Sequence, residues 1–113
     1  MRLTFKLALV LFAGAFSPMG AINAQAQEVG SAATGGAYAR SHCSECHAVT
    51  GGVELSPNAD APSFASVAAT PGMTGHALAV WLQTSHPTMP NFVIAPADQD
   101  NIIAYILSLR PPT

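Results

Sequence analysis

Two cysteines separated by two residues and followed at once by a histidine constrain this chain more than any other feature. They form the pentapeptide Cys43-Ser44-Glu45-Cys46-His47, and the spacing C-x-x-C-H is the attachment signature of c-type haem. Two thiols three positions apart on a helical turn can each add to one vinyl group of a porphyrin, which leaves the next imidazole under the iron. The motif therefore predicts one covalent haem c held by Cys43 and Cys46, with His47 as an axial ligand of the iron.

Other uses of the cysteine pair fit the sequence less well. A disulfide would close a loop too short to restrict the unfolded chain much. A zinc site needs four ligands, and a second pair at metal-ligand spacing is missing. A thioredoxin-like pair belongs to a βαβ pattern, whereas the residues around the motif are rich in alanine and favour helix. Haem attachment is therefore the main hypothesis, and a haem-free redox thiol protein is kept as an alternative.

The first 26 residues have the pattern of a secretory signal peptide. Arg2 and Lys6 precede the apolar run 7–16, which as a helix would be about 15 Å long, too short for a hydrocarbon core about 30 Å thick. The tripeptide Ala24-Gln25-Ala26 supplies small residues where a signal peptidase reads them. We expect cleavage after Ala26, export to the periplasm and no membrane span in the mature chain.

The mature chain, residues 27–113, is acidic and contains no lysine. With histidine neutral, two arginines stand against six carboxylates, which gives a net charge of −4. The chain therefore offers no basic face for nucleic acid or anionic lipid. Its length, about 87 residues, suits one small domain with a modest apolar core, which haem would help to stabilise.

Caps, prolines and apolar stripes predict an all-α fold, because no segment alternates polar and apolar residues as a strand does. Four helices are expected: one capped by Ser31 or Thr34 that runs into the haem motif, a short one after Ser63, one from Gly75 to about Thr84, and a last one that opens at Pro96. The segment 50–62 is dense in turn formers, and its length suggests a loop packed over one edge of the macrocycle.

The second axial ligand is expected from the loop 85–92. Pro87 and Pro90 restrict the backbone around Met89, so its thioether can be held against the iron at little entropic cost. His86 is the rival ligand in the same loop. Three further side chains are poorer candidates: His42, Met73 and His76. Ligation by a histidine and a methionine fills both faces of the iron, which favours electron transfer over the binding of small molecules.

The attachment motif, the loop Pro87-Thr88-Met89-Pro90 and the closing helix through Tyr105-Ile106-Leu107-Ser108-Leu109 resemble those of small bacterial class I cytochromes c. The resemblance covers about residues 34–110. It implies a single domain of about four helices around one haem c. It also implies a carrier of single electrons that is not an enzyme, with His47 and Met89 as the axial ligands.

The resemblance also implies roles for residues around the haem. In that family a proline carbonyl holds the proximal imidazole, and Pro62 is the best match here, with Pro57 as the alternative. Trp81 resembles the tryptophan that lies near a haem propionate. Gly35 and Tyr105 resemble the glycine and the aromatic residue at which the first and last helices cross.

Two functions follow as hypotheses. The first is a periplasmic electron carrier that serves a dehydrogenase, an oxidase or a respiratory complex; the docking lysines of the mitochondrial relatives have no counterpart here, so their partners do not carry over. The second is a haem protein with an open or labile sixth position that binds small ligands or acts as a peroxidase. Binding of carbon monoxide by the reduced protein discriminates between them.

Overall fold

The structure describes residues 29–112, and this part of the chain contains four helices and no strand. The structure is a computed structural model. Its helices are α1 (Ala32–His42), α2 (Phe64–Ala69), α3 (Gly75–Gln83) and α4 (Pro96–Ser108). The predicted all-α fold is confirmed, and the four helices lie where the caps and prolines predict them. The signal peptide predicted for residues 1–26 lies outside the described residues.

The helix starts follow the local sequence closely. The side-chain hydroxyls of Ser31, Ser63 and Thr74 each accept a hydrogen bond from a backbone N–H in the first turn of α1, α2 and α3. Ser31, and not Thr34, is therefore the cap of α1. The fourth helix begins at Pro96 without a side-chain cap, because Ala95 occupies that position.

Helices α1 and α4 cross at a contact that two glycines make possible. A Cβ on Gly35 would lie 1.8 Å from the backbone oxygen of Asn101, and one on Gly36 would lie 2.9 Å from Cε2 of Tyr105. The expected pairing of Gly35 with Tyr105 is thus wrong by one residue: the tyrosine ring lies against Gly36, whereas Gly35 packs on the α4 backbone. Only glycine permits so close an approach at position 35.

The last helix, α4, contacts each of the other three helices. Among residues 29–112, eight buried side chains form the apolar core: Ala39, Val49, Phe64, Ala68, Leu78, Ile102, Ile103 and Ile106. Trp81 on α3 lies outside this core and is 55% exposed. No helix in this part of the chain has the length and apolar character that crossing a membrane requires.

Candidate haem site

The pentapeptide 43–47 is a turn that continues the last turn of α1. The backbone N–H of Cys43 donates to Ala39 at 2.9 Å, and those of Cys46 and His47 both donate to the carbonyl of Cys43, at 3.2 and 2.9 Å. Both cysteines are free thiols and partly buried. Because the turn is tied to α1, the position of the two thiols is set by the crossing of α1 with α4.

The imidazole of His47 is held by the backbone that leads into α2. Its Nδ1–H donates to the carbonyl of Pro62 at 2.7 Å, and its ring lies 5.4 Å from the ring of Phe64, centroid to centroid. The carbonyl at hydrogen-bond distance belongs to Pro62 and not to Pro57. A proton on Nδ1 leaves the lone pair on Nε2, which is the arrangement that a histidine needs to bind a metal.

The loop after the motif fastens the backbone around His47 at several points. The hydroxyl of Ser56 accepts from the N–H of Ala48 at 3.0 Å, and the N–H of Asn58 donates to the carbonyl of Cys46 at 3.1 Å. From the other side, the phenol of Tyr105 donates to the carbonyl of Val49 at 2.7 Å. The loop 50–62 on one side and α4 on the other therefore hold the main chain of residues 46–49.

Beside His47 the same loop borders a cavity of about 540 Å³. Eight residues line it: Ser44, His47, Ala48, Val49, Thr50, Glu54, Leu55 and Pro57. Leu55 is 93% exposed. An apolar side chain left open to solvent beside an oriented imidazole suits a site that an apolar group covers.

Met89 lies in the loop between α3 and α4, where it is partly buried. It lines a second cavity of about 230 Å³ together with His86, Phe92 and Val93 among others. His47 thus lines the first of these cavities and Met89 the second. The backbone of Thr88 is left-handed, with φ 70°.

The remaining candidate residues make contacts of their own or are exposed. Trp81 meets the ring of His86 edge-on at 5.5 Å between centroids. His42 stacks on Tyr38 at 4.1 Å on the outer surface of α1, and His76 is exposed at the start of α3. Met73 packs against the core.

These residues fit a covalently bound haem. Two free thiols stand at the attachment spacing, the neighbouring imidazole presents Nε2, and apolar side chains lie exposed at both cavities. The chain is 43% identical over 77 residues to cytochrome c-552 of Bradyrhizobium diazoefficiens, an alignment that covers 68% of this chain and 73% of that protein. The chain belongs to the small monohaem class I cytochromes c. No protein-family model matches it, and no solved structure does.

The cofactor of this cytochrome is a covalently bound haem c with its iron, and its role is that of an electron carrier. The predicted family, fold and cofactor are therefore confirmed. As such a carrier, the cytochrome passes electrons to and from redox partner proteins.

Sequence reasoning missed the groups that hold the attachment segment of the cytochrome, residues 46–49, in place. The hydroxyls of Ser56 and Tyr105 and the N–H of Asn58 all bind main-chain atoms within residues 46–49. The run Ser56-Pro57-Asn58 is typical of a turn, which signals the bend, but nothing in the sequence tells which carbonyl each group reaches.

Burial raises the pKa of the Cys43 thiol above its ordinary value. Desolvation at this position disfavours the charged thiolate. Arg110 has a structural role, because its guanidinium donates to the carbonyls of Ala68 and Met73 at 3.3 and 2.7 Å.

Proposed function

We propose that this cytochrome is a periplasmic carrier of single electrons, and not an enzyme, in which thioethers from Cys43 and Cys46 hold the haem and His47 and Met89 bind the iron. The observation that carries the proposal is the bond of 2.7 Å from Nδ1 of His47 to the carbonyl of Pro62, within an intact C-x-x-C-H turn. This bond fixes the imidazole in the tautomer that binds metals through Nε2, and it raises the basicity of Nε2 as a metal ligand. When bound, the haem supplies a one-electron Fe(III)/Fe(II) couple, and a methionine opposite the histidine raises its potential.

The side of the site that carries His47 is built to keep its geometry. Phe64 lies against the imidazole and is itself part of the buried core. The N–H of Phe64 donates to the carbonyl of Ala48 at 2.9 Å, which binds the start of α2 to the residue after the ligand. A ligand held so firmly changes position little when the charge of the site changes.

Support for Met89 comes from the loop that carries it. Pro87 and Pro90 flank it, it is partly buried, and its N–H donates to the carbonyl of His86 at 3.3 Å. The Nδ1–H of the rival His86 donates to the carbonyl of Thr84 at 3.0 Å, and its ring meets Trp81. This bond leaves Nε2 of His86 free, as in His47, so the preference for the thioether rests on the two prolines that restrict the backbone around Met89.

Trp81 serves this function through its indole. The side chain stands half-exposed on α3, where its N–H can donate to a haem propionate. We assign Pro62 and Trp81 to the surroundings of the haem, the first through the imidazole and the second through the propionate.

Export and partners complete the proposal. Residues 1–26 are a cleaved signal peptide and residues 27–113 the cytochrome domain, so the carrier works in the periplasm and serves a dehydrogenase, an oxidase or a respiratory complex there. The mature chain is negatively charged and contains no lysine. Its partners must therefore recognise it without the docking lysines of the mitochondrial relatives.

A second function is favoured by one observation. Met89 stands directly after Thr88, whose left-handed backbone is unfavourable for a β-branched residue, which suits a thioether that leaves the iron readily. Such a protein would bind small ligands or act as a peroxidase. Rapid and tight binding of carbon monoxide to the reduced protein at neutral pH would favour it over the electron carrier.

The test replaces Met89 and, as a matched control, Met73, which is also a partly buried methionine. We expect Met89→Ala to lower the reduction potential by more than about 59 mV, a factor of ten for a one-electron couple, and to let the reduced iron bind carbon monoxide. Met73→Ala should leave both properties close to wild type. The measurements are a redox titration and visible spectra of the matured protein.

Three results would contradict the proposal. Equal effects of the two substitutions would remove the support for Met89 as the ligand. Rapid binding of carbon monoxide by the wild type would favour the open-iron protein. Release of the pigment by acid–acetone would exclude the thioethers to Cys43 and Cys46.

A further inference from the structure

The loop between α3 and α4 contains a backbone conformation that needs support. Thr88, directly before Met89, has a φ of 70° and is the one residue other than glycine with a positive φ among residues 29–112. A β-branched side chain is unfavourable in the left-handed region. Such a conformation persists where the surrounding contacts hold it.

Two hydrogen bonds span this residue. The hydroxyl of Ser85 donates to Oδ1 of Asn91 at 2.6 Å, and the N–H of Met89 donates to the carbonyl of His86 at 3.3 Å. The first bond joins the two ends of the segment 85–91 through side chains alone. It encloses both prolines, the left-handed Thr88 and Met89 within one closed loop.

We propose that Ser85 and Asn91 form a clip that positions Met89 and sets how often its thioether leaves the iron. The inference rests on the ligation by Met89 proposed above. With the clip closed, the ends of the segment are held together and Thr88 stays left-handed, which keeps the thioether in one place. With the clip open, Thr88 relaxes and Met89 moves with it, so Ser85 and Asn91 are positioning residues.

The expected size of the effect follows from how much one hydrogen bond shifts an equilibrium. A typical side-chain bond changes an equilibrium about 2- to 12-fold, and a solvent-exposed one lies at the lower end of that range. Ser85 and Asn91 are both exposed. We therefore expect loss of the clip to raise the population without the methionine ligand about 2- to 5-fold.

Imidazole binding to the oxidised, haem-loaded protein measures this population, because imidazole binds iron when the thioether has left. We expect Ser85→Ala and Asn91→Ala each to raise the apparent affinity about 2- to 5-fold, and the double variant to do no more than either alone. Asn91→Asp keeps the acceptor oxygen for the Ser85 hydroxyl, so it should stay close to wild type.

The matched control is Ser108→Ala. The hydroxyl of Ser108 also makes a bond of 2.6 Å, to the carbonyl of Tyr105, but at the opposite end of α4 from the loop. Its loss should leave the imidazole affinity unchanged. Urea midpoints of all variants separate a local opening from a general loss of stability.

The failures of the two proposals can be told apart with Met89→Ala. If that variant binds imidazole no more tightly than wild type, the ligation by Met89 is wrong. If it binds much more tightly while Ser85→Ala and Asn91→Ala match Ser108→Ala, the ligation stands and the clip is wrong. Increases that merely follow the urea midpoints would also overturn the clip.

Discussion

The two sides of the proposed haem site are built in different ways. On one side, His47 follows a helix that is packed against α4 at a glycine contact, and five hydrogen bonds to other parts of the chain hold the residues 46–49. On the other side, Met89 lies in a loop held by hydrogen bonds among its own neighbours.

The difference shows what holds each of the two proposed ligands in place. The position of the imidazole is fixed by packing in the core. Many residues contribute to this packing, so it is lost only when the whole fold is lost. The thioether depends on a few local bonds and on restricted backbone at two prolines, and such a segment opens at lower cost than the core. We expect substitutions on the first side to alter the free energy of unfolding most.

Gly35→Ala tests the packed side and should have the largest effect. A methyl group there would lie 1.8 Å from the oxygen of Asn101, so α1 and α4 must separate, and unfolding should become easier by about 3 kcal/mol or more. Urea denaturation of the haem-loaded protein measures the change. Gly51→Ala is the control, because its nearest contact would be an ordinary 3.7 Å to Leu109. Equal losses from the two substitutions would contradict the close crossing.

Tyr105→Phe tests the bond between α4 and the attachment segment. It leaves the carbonyl of the buried Val49 without its donor, which should cost about 1–2 kcal/mol of unfolding free energy. Tyr38→Phe removes a hydroxyl from the surface of α1 and should change little. The same denaturation assay compares them, and a loss as large for Tyr38→Phe would show that the Val49 bond contributes nothing of its own.

Ala95→Ser tests the start of α4, where the loop that carries Met89 ends. Its effect on the free energy of unfolding should be the smallest. Ala95 has the extended backbone of a helix cap but no oxygen to accept from the first turn, so a serine should add about 0.5–1 kcal/mol. Ala37→Ser, in the exposed interior of α1, should instead lower stability by a few tenths of a kcal/mol. If thermal unfolding shows no gain for Ala95→Ser, the uncapped start of α4 does not limit stability.

Much of the fold could be predicted from the sequence because its signals are local. Ser63 and Thr74 cap helices through their own neighbours, Pro96 opens α4, and the prolines at 87 and 90 exclude a helix between them. The chemistry of the C-x-x-C-H motif is equally local, because its spacing alone brings two thiols and an imidazole to one turn.

The tertiary structure decided the contacts between distant segments. Pro62 and Pro57 are alike in sequence, and the choice between them depends on how the loop folds back on His47. The ring of Tyr105 is the nearest neighbour of Gly36, whereas Gly35 meets the α4 backbone first, because the rotation of α4 against α1 is set by the whole core. The sequence by itself thus determined which residues can hold a haem and which helices form, since those depend on neighbours along the chain. The structure decided which carbonyl or backbone atom each of them meets, because those distances depend on packing between segments far apart in sequence.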